Sequence, residues 1–226
     1  MLPGAVVAMI ALITVVQVAR STLSYLQDLQ VLAWFAFIPV RYAETFVQLP
    51  GGIAADVWTF ATYALLHGSW IHLITNAVWL VAFGAAVARR FGGLRFWVFS
   101  AAAAAGGAAL HLLVHWGDPV PVVGASAAIS GQMAAAARFV FDAGGPLRLR
   151  QGPGSGDAAF RRPARSLADT FRNRTAVVFI ALWFFINLAV GLGSSAAGGM
   201  AIAWEAHLGG FLVGLLTFRF FDPVPR

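Results

Sequence analysis

Of the 226 residues, 60% are hydrophobic and only 11% charged, where a soluble globular domain carries about a quarter charged residues; the chain is therefore read as one multi-pass membrane domain, 1–226. It has no cysteine, which excludes disulfides, thiolate metal ligands and a cysteine nucleophile. Its net charge of +6 comes from arginine alone, and the arginines crowd into loops, a pattern of membrane topology that argues against nucleic acid as a partner.

In chain order, residues 3–19 form an apolar run just long enough to span. No basic side chain precedes it, so a retained helix is expected and not a signal peptide. Residues 20–66 are read as an outer loop. Arg20, Asp28, Arg41, Glu44 and Asp56 surround the short patch VLAWFAFIPV, which is too short to cross and is placed at the interface with Trp34 at headgroup level. The second span is expected from about Gly68 to Val87, the third from about Gly93 to His115 with AAAAAGGAAL at its centre, where small residues let helices approach closely. Pro119 and Pro121 then forbid a helix, Gly124 permits a tight turn, and Ser126 opens a fourth helix reaching about Phe141. Residues 143–174 hold seven arginines and two aspartates and read as a flexible basic loop. The fifth span covers about Thr175–Leu192, followed by a Gly/Ser turn (GLGSSAAGG), and the sixth about Ala201–Phe221.

Arginine orients this six-helix bundle. Loops after spans two and four hold Arg89, Arg90, Arg95 and the seven-arginine segment, whereas loops after spans three and five have none. The positive-inside rule then puts both termini in the cytoplasm. Arg20 and Arg41 lie on the opposite side, where three acids share their loop.

Counting inward from the outer surface, His72 and Asn76 lie one turn apart on one face of span two, and His207 about six residues into span six. A rise of 1.5 Å per residue sets them roughly 6–11 Å deep. The fourth helix is shorter than a bilayer core, so Ser126 at its start is sunk to a similar depth. Each residue alone is accounted for by hydrogen-bonding glue between helices, and Ser126 also by a plain N-cap. Jointly they are an inventory for acyl transfer. His207 would take the proton of Ser126 and return it to the leaving amine. The N–H of Ser126, with His72 and Asn76, would hold the oxyanion. Gly131, Gly209 and Gly210 would let the helices come close enough. Glu205 is two residues from His207 and off its face, so a dyad is expected instead of a triad.

These residues carry a resemblance. HGSWIHLITN (His67–Asn76), GASAAISG (Gly124–Gly131) and EAHLGGFLVG (Glu205–Gly214), in that order on spans two, four and six, resemble the motifs of the rhomboid intramembrane serine proteases. The resemblance implies Ser126 as nucleophile, His207 as base, and His72 and Asn76 as oxyanion donors. Gly124, Ala125 and Ala127 beside the serine would contact substrate. It further implies a site opening to the extracytoplasmic side of a bacterial inner membrane, transmembrane protein substrates entering from the lipid bilayer, and no cofactor. Two positions depart from the family pattern. Ala127 stands where Gly is usual, adding a methyl near the oxyanion site, and Trp58-Thr59 replaces a Trp-Arg pair that anchors the first outer loop.

Other classes fit less well. GASAA is one residue short of a nucleophile elbow, and no strand–helix alternation hosts one. A solute transporter would need polar groups in the inward halves of the spans, which are nearly bare of them. A non-catalytic relative that binds transmembrane clients would not need to keep Ser126 with His207. His111 and His115 have the spacing to share a ligand such as a metal, but no third ligand is evident, and beside Trp116 they read as an interfacial belt; no metal is expected. The Phe-rich fifth span reads as lipid-facing, with a lateral substrate gate as the alternative.

Overall fold

The run SAAISGQMAAAA has no side chain larger than Met or Gln, so other helices can close around it on every side. It forms α7 (Ser126–Ala137), and every residue from Ala127 to Ala137 is buried. The computed structural model describes residues 1–43, 48–141, 157–196 and 202–225, apart from the side chains of 157 and 194–196. Around α7 stand α1 (Gly4–Ser21), the α4–α5 rod, α6 (Gly93–Val114), α9 (Arg174–Ala196) and α10 (Trp204–Phe221). In the rod, α4 (Trp70–Trp79) and α5 (Ala85–Phe91) are joined by a π turn at Leu80–Gly84. Among the described residues there is no strand; an isolated antiparallel bridge pairs Phe37 with Val122.

Among the described residues, four helical stretches are long and apolar enough to cross a membrane: Gly4–Ser21, Trp70–Phe91, Gly93–Val114 and Arg174–Gly193. The other two expected spans are α7, about 18 Å long at 1.5 Å per residue, and α10, which carries Glu205, His207 and Arg219. The fourth helix therefore stops at Ala137, short of Phe141. Its next residue, Arg138, turns back to donate to the carbonyls of Leu215 and Arg165.

Close approach of α7 and α10 depends on glycine. A Cβ on Gly210 or Gly214 would strike the backbone of Ala127 or Gly131, respectively. This packing brings the beginning of α7 against the first turns of α10.

The outer loop is largely helical. It contains α2 (Tyr25–Phe35) with a Ser24/Gln27 capping box, and α3 (Gly52–Thr62). Its two arginines are absorbed locally. Arg20 pairs with both oxygens of Asp28 and donates to the His67 carbonyl. Arg41 donates to the carbonyls of Ala33 and Pro50 and lies 3.8 Å from Asp56. Arg41 thus supplies the anchoring that the Trp58-Thr59 sequence lacks, while Trp58 donates to the Trp34 carbonyl and stacks on its ring.

Two sequence expectations change. Part of the basic loop folds: residues 157–161 form a 3-10 turn and α8 covers Leu167–Arg172, with Ser166 accepting from the Asp169 N–H. Arg90 holds this segment by donating to the carbonyls of Phe160 and Arg162, a long-range contact that composition does not disclose. The beginning of that loop lies outside the described residues. In the expected Gly/Ser turn, α9 continues to Ala196, and Gly191 lies so near Trp204 that a Cβ would come within 2.6 Å of that side chain. Here packing on α10 overrides the weak helix propensity of glycine and serine.

Candidate active site

Ser126 is the first residue of α7, and the capping position belongs to Ala125, which makes no side-chain cap. The plain N-cap reading of Ser126 is thereby removed. Its Oγ instead meets Nε2 of His207 at 2.7 Å, across 81 residues of chain. Both residues are half-buried, shielded from bulk water yet reachable.

The other edge of the His207 ring is engaged as well. Nδ1 lies 2.6 Å from Oδ1 of Asn187 on α9, and Nδ2 of the same amide donates to the Trp204 carbonyl at 3.2 Å. The second bond orients the amide. With Nδ2 committed to Trp204, the oxygen faces His207, so Nδ1–H donates and Nε2 is left as the lone pair facing the serine hydroxyl. A bare Ser–His dyad was expected; the geometry is a three-residue chain, Ser126–His207–Asn187. The sequence signal that could have exposed it was the single asparagine in VVFIALWFFINL. Most of α9 does face outward, as its Phe-rich sequence suggests, and Val178, Leu182, Phe185 and Leu192 are exposed.

Span two delivers two more polar groups. Gly124 has φ +125°, and a Cβ there would lie 2.7 Å from Cε1 and Nε2 of His72 and 3.6 Å from Nδ2 of Asn76. Only glycine combines that backbone angle with this approach. The loop bearing Gly124 is held by its N–H donating to the Tyr63 carbonyl, by Tyr63 Oη donating to the Ala104 carbonyl, and by the Phe37–Val122 bridge. Nδ2 of Asn76 is buried with no acceptor among the described residues. The structure thus gathers Ser126, His207, His72, Asn76 and Gly124 at one end of the bundle.

Ala125 and Ala127 differ from that expectation. They are 2% and 1% exposed, and their methyls pack into the apolar interior. Neither residue is therefore open to an incoming chain. The Ala127 methyl is accommodated by α6, where a Cβ on Gly107 would come within 2.6 Å of it. It points at a neighbouring helix and away from the serine, so the departure from the usual glycine is offset by a glycine elsewhere.

Chemically, the arrangement couples a hydroxyl to an imidazole nitrogen, and places the unpartnered Nδ2 of Asn76 and the His72 ring against Gly124, two residues before the serine. These features, on an apolar helical bundle, define a membrane protein with a polar site at one end. The profile of the rhomboid domain matches residues 54–221, three quarters of the chain, and the chain belongs to the rhomboid family. No curated protein sequence matches it.

Proposed function

We propose that this protein is an intramembrane serine endopeptidase that cleaves transmembrane segments of membrane-protein substrates. The observation that carries this reading is the 2.7 Å contact between Ser126 Oγ and His207 Nε2, made by residues with no structural need to meet.

Nε2 of His207 takes the Ser126 proton as Oγ attacks the scissile carbonyl. The resulting oxyanion accepts hydrogen bonds from the Ser126 N–H, Nδ2 of Asn76 and the His72 ring. The imidazolium then gives its proton to the leaving amine, the C–N bond breaks, and an acyl-enzyme remains. Water, deprotonated by the same nitrogen, attacks the ester, and Ser126 is regenerated. Asn187 is a positioning residue: it holds His207 in the tautomer and rotation that face the serine. In this reading the bundle has six spans with both termini cytoplasmic, and the site opens to the extracytoplasmic side. Substrate helices reach it sideways from the lipid.

The test is covalent labelling of purified protein by a fluorophosphonate probe in detergent, wild type beside Ser126→Ala. Labelling of wild type alone is expected. Equal labelling of both, or of neither, would leave a client-binding protein in place of an enzyme.

A further inference from the structure

A second cluster of chemistry-bearing side chains lies beyond Glu205. His111 and His115, one turn apart at the end of α6, face the first turn of α10, where Glu205 projects away from His207. His115 Nε2 is 3.1 Å from Glu205 Oε1, and His111 Nδ1 is 3.7 Å from Oε2. The two rings stack with centroids 4.4 Å apart, and the three ligand atoms all fall within 4.8 Å of one another. Glu205 is the third ligand that spacing within α6 does not disclose.

We propose that His111, His115 and Glu205 bind a divalent transition-metal ion, zinc above all, and that the ion clasps α6 to the start of α10. Two imidazoles and one carboxylate form a ligand set suited to zinc. Zinc ligands about 2.1 Å from the ion at tetrahedral angles lie about 3.4 Å apart; the two histidine nitrogens lie 3.1 and 3.7 Å from the two oxygens of Glu205, and small side-chain rotations would draw one ligand atom from each residue, now within 4.8 Å, to that spacing. His111 gives the independent sign. It is 7% exposed, and its Nδ1 is buried with no hydrogen-bond partner among the described residues. At 3.7 Å from a carboxylate oxygen it is too far for a hydrogen bond, yet suitably placed to share an ion. Asp118 Oδ2 lies 3.8 Å from His115 Nδ1, on the side of the ring opposite Glu205 and beyond hydrogen-bond distance. Glu205 itself is 8% exposed, and its ion-pair partners among the described residues are these two histidines. A buried carboxylate gains strongly from a nearby dication.

The experiment is equilibrium dialysis of the full-length, tag-free protein in detergent against zinc, with bound metal counted by mass spectrometry. Cobalt substitution, read by visible absorption, reports coordination geometry. One equivalent is expected in wild type and equally in Ser126→Ala, so the result is independent of the protease reading. His111→Ala, His115→Ala and Glu205→Gln should each weaken binding by about tenfold or more. His115 is the most exposed ligand and Glu205→Gln preserves shape, so these two keep the test valid if His111→Ala fails to elute as a monodisperse species. No stoichiometric zinc in wild type, or unchanged binding in His115→Ala and Glu205→Gln, would overturn the proposal.

Discussion

The two ends of the bundle handle polar groups in opposite ways. At the end holding the C-terminus of α5, Arg90 is buried, makes a bidentate pair with Asp222, donates to two loop carbonyls and lies over the Phe139 and Phe218 rings. Arg138 likewise donates to the carbonyls of Leu215 and Arg165 and lies over Phe218. At the end holding Ser126, Nδ2 of Asn76 and Nδ1 of His111 are buried without a hydrogen-bond partner among the described residues. Buried polar groups are normally satisfied, and a donor left uncommitted costs roughly 1–3 kcal/mol. The contrast teaches that the buried arginines of one end close the structure, whereas the other end leaves two buried side-chain nitrogens without a hydrogen-bond partner among the described residues.

That contrast can be broken by mutation, because each end should fail in its own way. The largest effect belongs to Ser126→Ala and His207→Ala. Each should lower peptidase turnover by a factor on the order of 10⁵ or more, measured on a reconstituted transmembrane substrate, with thermal unfolding nearly unchanged. Arg90→Ala should do the reverse. Removing one partner of a buried ion pair costs about 3–5 kcal/mol, so the unfolding midpoint falls sharply while labelling per folded molecule stays at the wild-type level. Loss of turnover without loss of stability in Arg90→Ala would erase the distinction between the ends.

Two smaller effects sharpen it. Asn76→Ala should lower kcat about 10²- to 10³-fold, the usual result of removing one oxyanion donor, with KM little altered. It should also leave stability unchanged or raised, since it removes an unsatisfied buried donor. Asn187→Ala should reduce kcat by about tenfold through loss of one orienting hydrogen bond. Asn187→Asp, which keeps an acceptor facing His207 Nδ1, should recover most of that loss. Equal damage from Ala and Asp, with KM rising in both, would mean that Asn187 only packs.

Much of the fold was legible because the relevant physics is local. Apolar runs of spanning length, arginine-rich loops and a serine following Pro-x-x-Gly are properties of contiguous sequence, and they located the four transmembrane-length helices among the described residues to within a few residues. What was illegible depended on partners distant in the chain. Arg41 replaces the missing loop arginine from 18 residues upstream of Thr59, and Gly107 accommodates the Ala127 methyl from a different helix. Neither compensation leaves any trace near the residue it compensates.

By itself the sequence determined the membrane class and the order of the helices, and it singled out Ser126, His72, Asn76 and His207, which the structure gathers at one end of the bundle. Periodicity assigns residues to faces within one helix, and the rise per residue assigns depth. Only the tertiary structure decided which faces meet: that Asn187 on a largely exposed helix reaches His207, and that Glu205 turns to His111 and His115 instead. Rotation and tilt of one helix against another arise from the packing of many small contacts, above all the glycine seams of α7 and α10, and no local pattern encodes that sum.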